Sequence, residues 1–335
     1  MKQWTKRSLA ALLTVLMAVS CAAFGMTAFA VGWCPMCDGD LTALYGDPPA
    51  TTKSDGEMLY ECPNCGYRLH EDEIYRIDYV GFHQNTYAYT GTPRKPAPIV
   101  ADSHEDLIGD DNYEVTYKNN MAIGKATAII EFNGTYYEGK VTRTFIIAPA
   151  KMAAPTVVNA PKGFKISWTK QPKGAGGYQI WRKKGTGKYQ KIATIKDPSK
   201  RSYADSSDAA NENGTKYAYK IRAYKTVKGV DYLGLISAEK VSYKVARPAA
   251  PAVKNSGAGK ISVSWKKNAK ASGYKVKYVT GKTTKIAEVK GASITGVSLS
   301  VKRKAKYSVY VQAYKTVSGK TYRSCFSPAK TITTT

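Results

Sequence analysis

The sequence predicts a mostly β chain, with one small cysteine-rich module followed by three β-sandwiches in a row. Three observations predict it. The run AYKTV occurs at Ala223–Val227 and again at Ala313–Val317, the sign of an internal duplication. Around each copy, apolar and polar residues alternate with period 2, as in strands buried on one face. Near the N-terminus two Cys-Pro-x-Cys motifs, CPMC (34–37) and CPNC (62–65), are separated by residues 38–61.

The first 30 residues carry Lys2, Lys6 and Arg7, then an apolar run from Leu9 to Phe24, then TAFA ending at Ala30. Basic, apolar, then small residues in that order make a secretory signal, and the run is shorter than the roughly 20 residues a membrane span needs. Cleavage after Ala30 leaves Val31 as the first mature residue and an exported protein with no membrane span. Cys21, behind AVS, is the rival lipidation position, but the usual Leu three places earlier is missing.

Residues 31–75 form the cysteine module. A Trp-Cys-x-x-Cys run such as WCPMC (33–37) also presents the dithiol of thioredoxin-like oxidoreductases, which sits after a strand and opens a helix. Cys34 is the fourth mature residue, so no strand fits before it. Two Cys-Pro-x-Cys hairpins instead place two sulfurs each on a common tetrahedron, the donor set of a structural metal site. Gly39 and Gly66, at or just after the hairpins, are expected to take the positive φ that turns backbone N–H groups toward sulfur. The layout resembles zinc-ribbon modules over about residues 31–70, with YGDPPATTKSDG as an inserted loop. The resemblance implies Cys34, Cys37, Cys62 and Cys65 as ligands of one structural zinc, in a module that folds independently. Rubredoxin-type iron, with an aromatic set of Trp33, Tyr60 and Tyr67, and two cross-hairpin disulfides are alternatives to zinc. His70 lies near the motifs, but four thiolates already close the shell.

Residues 76–150 contain YAYTGTPRKPAPIV, NYEVTYKNNMAIGKATAIIEF and GTYYEGKVTRTFIIAPA. Alternation at Tyr113, Val115 and Tyr117, and at Thr142, Thr144 and Ile146, predicts short strands. The order Tyr-Thr-Gly-x-Pro, Tyr-x-Val-x-Tyr-x-Asn-Asn, then Thr-x-x-Phe-x-Ile resembles a bacterial immunoglobulin-like repeat of Gram-positive surface proteins. DSHEDLIGDD (102–111) lacks the oxygen spacing and central Gly of a helix-loop-helix calcium site and reads as a solvated acidic loop. Pro149–Pro155 is the linker.

The duplicated half divides into 151–246 and 247–335. KISWTK matches SVSWKK, GGYQIWRKKG matches SGYKVKYVTG, and TKYAYKIRAYKTV matches AKYSVYVQAYKTV. Tyr217, Tyr219, Ile221 and Ala223 share one face, as do Tyr307, Val309, Val311 and Ala313. Two sheets packed face to face satisfy this pattern. A Trp in an early strand, Gly-Tyr in a middle one and Tyr-x-Val-x-Val-x-Ala in a late one resemble fibronectin type III domains. That resemblance implies Trp168 and Trp265 as core residues, and Tyr217 and Tyr307 as corner tyrosines bonded back to the backbone. Cys325 aligns with Leu235 and is expected as a buried apolar thiol. PKGAGGY (172–178) lacks the Gly-Lys-Ser/Thr ending of a phosphate loop and reads as a turn.

The net charge of +26 conceals a division. Residues 31–150 carry nine Lys/Arg against eighteen Asp/Glu, whereas residues 151–335 carry 39 against seven, or +32. Solvated strand faces account for such lysines, and so does a surface facing an acidic polymer. No nucleophile elbow, no paired carboxylates in a recognisable setting and no His-Cys dyad appear, so no enzyme is expected. The expectation is a secreted, monomeric modular protein for adhesion, wall association or scaffolding. Its partner would be a cell-wall polymer, a glycan or a surface protein, not a specific nucleic acid. The alternative is a spacer and substrate-binding part of an extracellular carbohydrate-active system.

Overall fold

The structure, a computed structural model, describes residues 30–169 and 172–335. Residues 1–29, which hold most of the expected leader and Cys21, lie outside them. The described chain is strand, turn and loop, with single 3₁₀ turns at Asp110–Asn112 and Asp208–Ala210. Among the described residues no helix is long and apolar enough to cross a membrane. The chain divides into two compact units. One holds the described residues through His83 with Ala97–Thr116 and Ala128–Arg143, the other Gln84–Pro96, Tyr117–Thr127 and Thr144–Thr335.

The cysteine module is an antiparallel sheet of β1 (Ala30–Trp33), β2 (Asp40–Gly46), β3 (Gly56–Glu61) and β4 (Arg68–Ile74), paired in sequence order. Contrary to expectation a strand does precede Cys34, because four residues suffice to pair with β2; the element that follows the motif is strand β2, not the helix of a thioredoxin-like site. Each Cys-Pro-x-Cys motif forms a hairpin connection, the first between β1 and β2 and the second between β3 and β4. Its apolar core is small: Cys34, Leu41, Tyr60 and Cys62, flanked by Ala43, Met58, Tyr67 and Leu69. Leu59 and Ile74 of the same sheet are buried as well, yet the core stays small for a self-sufficient fold. A cross-link through the sulfurs is what such a module lacks.

The module is not a separate compact unit but shares one with residues 97–116 and 128–143. Its inserted loop docks on residues 135–138 of the same compact unit: Gly46 N donates to Thr135 O (2.7 Å), Ala50 N to Tyr136 O (2.9 Å) and Glu138 N to Ala50 O (2.9 Å). Ala50 is fully buried there. The loop docks there because its backbone groups supply a strand edge, and edges pair where they can.

Downstream, β5 (Ile77–Gly81) pairs with β7 (Ile99–Asp102). A four-stranded sheet has the order β6 (Thr86–Ala88), β10 (Lys140–Ala148), β9 (Gly124–Phe132), β8 (Tyr113–Lys118), with β6 parallel to β10. The acidic loop is closed by Asp102, whose Oδ1 accepts from His104 N (2.8 Å) and Asp106 N (3.0 Å).

Two sandwiches follow. In the first, β11 (Thr156–Asn159), β12 (Phe164–Ser167) and β15 (Ser202–Asp205) form one sheet in the order β11-β12-β15. The other has β14 (Gln190–Ile195), β13 (Gly177–Lys184), β16 (Lys216–Val227) and β17 (Val230–Leu233), with β18 (Lys240–Tyr243) also on β16. The second sandwich repeats this arrangement. Its small sheet is β19 (Ala252–Gly257), β20 (Lys260–Ser264) and β23 (Gly296–Ser300). Its large sheet is β22 (Thr283–Lys290), β21 (Gly273–Thr280), β24 (Lys306–Val317) and β25 (Lys320–Arg323), with β26 (Lys330–Thr333) on β24.

The expected stripes face the cores. Tyr217, Tyr219, Ile221 and Ala223 are buried in one core, and Tyr307, Val309, Val311 and Ala313 in the other. Trp168 lies 4.9 Å from Tyr178 and Trp265 5.2 Å from Tyr274, ring centre to ring centre. The corner tyrosines act as acceptors: Glu212 N donates to Tyr217 Oη (3.3 Å) and Lys302 N to Tyr307 Oη (3.0 Å). Gly163 takes φ +65° where a side chain would collide with the Asp205 carbonyl, so only glycine fits that turn.

Cys325 departs from expectation. It is half-buried, and its thiol donates to Asn159 O (3.2 Å) rather than packing in a core. The matching Leu235 is exposed, since both positions lie in the loop beyond the strand stripe.

Candidate metal centre and basic surface

The four sulfurs of Cys34, Cys37, Cys62 and Cys65 lie within 4.8 Å of one another. Two pairs that run across the hairpins, Cys34–Cys65 and Cys37–Cys62, each lie at 3.5 Å. A tetrahedral thiolate shell with bonds of about 2.3 Å has edges of about 3.8 Å, so this spacing fits a metal, whereas a disulfide needs about 2.05 Å. The thiols are free. Cys34 and Cys62 are buried, while Cys37 and Cys65 face outward, so one side of the cluster is anchored in the module's core.

Backbone geometry holds the sulfurs. Cys34 N donates to Gly39 O (2.6 Å) and Asp38 N to Cys34 O (3.0 Å). In the second hairpin, Cys62 N donates to Tyr67 O (2.8 Å) and Gly66 N to Cys62 O (2.8 Å). Gly66 has φ +72°, as expected, but in the first hairpin Asp38, at φ 56°, takes that conformation instead of Gly39. Both follow a second cysteine directly, so the position after that cysteine governs, and Asp tolerates it. Gly39 is needed for a different reason: a Cβ there would lie 2.5 Å from the Asn64 side chain and 3.3 Å from Cys62 Sγ.

The proton distribution in the cluster is uneven. Burial opposes ionisation of Cys62, but N–H groups of Asn64 and Cys65, with the Cys37 and Cys34 thiols, outweigh it and lower its pKa to about 7. At Cys37 the backbone of Gly39 favours the thiolate, yet hydrogen bonds with Cys65 and Cys62 dominate and push it up to about 12. Thiols that share protons this way must release them to bind a metal.

His70, expected at the surface, is exposed and sits 3.8 Å from Glu57. His104 stacks on Tyr75 with centroids 3.6 Å apart. Neither is in the sulfur cluster.

The charge division has a structural counterpart. Residues 151–335 form six ion pairs among the described residues, such as Lys184–Glu212 (2.6 Å) and Lys275–Glu288 (3.7 Å). Seven carboxylates are too few to neutralise 39 cations. Lys216, Lys220 and Arg222 point away from the core stripe, as the alternation predicts. Aromatic rings flank these outward cations, a feature the alternation alone did not reveal. Lys220 and Lys183 lie over the Tyr189 ring (4.5 and 5.0 Å), Arg222 over Trp181 (5.4 Å), and Lys277 over Tyr310 (4.2 Å) and Phe326 (4.6 Å). The parity of Trp181 and Tyr310, opposite to that of the core residues beside them, was the available signal.

No protein-family model and no curated protein matches the sequence. Among solved structures, the chicken CNTN1 FN1–FN3 domains are similar at 15% identity over 88% of this chain and 99% of that one, with a TM-score of 0.34. A two-domain fibronectin type III segment from chicken tenascin is similar at 18% identity over 56% of this chain and 99% of that one, with a TM-score of 0.26. The two sandwiches described above rest on the strand order of this chain itself.

Proposed function

We propose that this is an exported, non-catalytic modular protein that attaches to an anionic polymer of a cell surface through residues 151–335. The observation that carries the reading is the excess of outward cations over carboxylates on the two sandwiches. Cys34, Cys37, Cys62 and Cys65 would hold one zinc; four thiolates close its shell, so the metal stabilises the module and supplies no chemistry. Iron or paired disulfides are outcomes of the metal test rather than parallel proposals.

Binding of the full chain to purified wall polymer, titrated with salt, tests the attachment. Affinity should fall steeply between about 0.01 and 0.15 M salt as the Debye length shrinks from about 30 to about 8 Å. Binding that ignores salt, or none at low salt, overturns it. Elemental analysis of protein purified without added metal should find one zinc per chain. Metal-free protein with all four thiols blocked as disulfides rejects the zinc.

A further inference from the structure

A cleft of about 380 Å³ lies where the two sandwiches meet, within the size range of ligand sites. One wall comes from β11 and β18 of the first sandwich, including Val158 and Lys240. The other comes from β25 and the residue after it, including Lys320, Tyr322 and Arg323. We infer that this cleft binds an acidic saccharide unit, and so is the point where the basic half grips a charged glycan. The inference rests on the polymer-binding reading above and locates it.

Three features support it. First, the cleft is cationic and unopposed: no carboxylate lines it, and Lys240, Lys320 and Arg323 are in none of the ion pairs among the described residues. Second, its walls are held in place. Asn213 Nδ2 donates to Asn268 Oδ1 across the seam (2.7 Å), and Ala246 N donates to Asn213 Oδ1 (3.0 Å). Cys325 Sγ donates to Asn159 O (3.2 Å) at the cleft's edge, and Asn159 Oδ1 accepts from Val245 N (2.9 Å). A preformed site loses less entropy on binding than one assembled by the ligand.

Third, the cleft is not only charged. Tyr322 and the half-exposed Val158 line it, and the Tyr243 ring meets Tyr322 across the seam at 5.1 Å in a tilted contact. Lys320 lies over the Tyr322 ring at 5.8 Å and Lys315 over Tyr243 at 5.9 Å. A bare inorganic anion makes no use of an aromatic and aliphatic wall. A sugar does: its C–H face lies on the apolar surface while its carboxylate or phosphate reaches the cations. A nucleic-acid strand calls instead for successive exposed rings along a groove, and here the rings form one pair.

The test uses the full chain with four probes of matched charge: an oligogalacturonate, a phosphate-linked glycerol oligomer carrying sugars, single-stranded DNA and inorganic polyphosphate. The combined variant Lys240→Gln, Lys320→Gln, Arg323→Gln is compared with Lys254→Gln, Lys285→Gln, Lys302→Gln, which removes equal charge from exposed positions outside the cleft. The cleft variant should lose at least about tenfold in saccharide affinity, the worth of one charge-assisted hydrogen bond, and the distal variant much less. Whichever saccharide shows this loss identifies the source of the charge. Tyr322→Leu should weaken saccharide binding while leaving inorganic polyphosphate binding unchanged. Equal losses from both triple variants would overturn the cleft and leave the diffuse basic face standing. DNA bound as tightly as either saccharide overturns the ligand class. No binding of any polyanion by the unsubstituted chain would instead reject the polymer reading itself.

Discussion

The two sandwiches share a strand order but not an interior. In the first, Arg182 reaches from the large sheet to Asp205 on the small one (2.8 Å), and Tyr219 Oη donates to the same carboxylate (2.9 Å). All three are largely buried; Asp205 is 2% exposed. Strand register puts Tyr278, Leu299 and Val309 at the matching places in the second: Arg182 faces Tyr219 as Tyr278 faces Val309, and Phe164 faces Asp205 as Ile261 faces Leu299. The same holds at the last strand. Buried Lys244 donates to Ala160 O (2.9 Å) and Gly163 O (3.1 Å), where Thr334 donates to Lys302 O (2.6 Å). One architecture therefore forms around a charged network and around an apolar layer. The polar trio is not a requirement of the fold. Desolvating two ions consumes most of what their attraction returns, so a packed apolar substitute is an equal solution.

That comparison breaks or holds on one pair of experiments, and these carry the largest effect. Asp205→Ala should destabilise the first sandwich by about 3–5 kcal/mol, because Arg182 is left buried without its partner. Importing the second sandwich's set, Arg182→Tyr with Asp205→Leu and Tyr219→Val, should be neutral or stabilising by about 1–4 kcal/mol. Pulse proteolysis in urea, with fragments assigned by mass spectrometry, reads each sandwich separately. A triple variant as unstable as Asp205→Ala would mean that the trio is needed to register the two sheets.

What the sequence revealed follows the same divide. Tyr217 and Tyr307 were legible because each sits at a fixed parity in a strand, and Trp168 and Trp265 because each directly follows one; all recur in both copies. The cysteine cluster was legible because two short motifs carry all four sulfurs. The Arg182–Asp205–Tyr219 network was not, since its members lie on three strands of two sheets and meet only when the sheets stack. Nor was the docking of Ala50 beside Tyr137, which depends on a backbone edge rather than on side-chain pattern. Asp38 in place of Gly39 shows a third limit. A glycine near a turn marks crowding or positive φ, and the sequence does not say which.

A smaller effect sharpens the comparison on the alkaline side. Burial raises the pKa of Tyr219 well above the tyrosine range, and the charge of Asp205 and its hydrogen bond raise it further, against a smaller opposing effect of Arg182. The second sandwich has Val309 there, which does not titrate. A tyrosine whose pKa is raised by folding leaves stability intact below its unfolded value of about 10. Above that pH the unfolded chain ionises first, and stability falls by about 1.4 kcal/mol per pH unit for each such group. Lysines begin to discharge in the same range, but both sandwiches carry them in similar number, 20 Lys/Arg against 19. The first sandwich should therefore lose urea resistance more steeply than the second between about pH 10 and 11.5. Burial also raises Tyr189, Tyr203, Tyr217 and Tyr224 in the first sandwich, against Tyr314 and Tyr322 in the second. Tyr219→Phe should therefore reduce that difference by one group's share, at a cost near neutral pH of about 1 kcal/mol for the lost hydrogen bond. Because the readout is a slope, that constant cost does not disguise the result. Equal slopes for both sandwiches before the substitution would place Asp205 and Arg182 in a wetter interior than their burial implies.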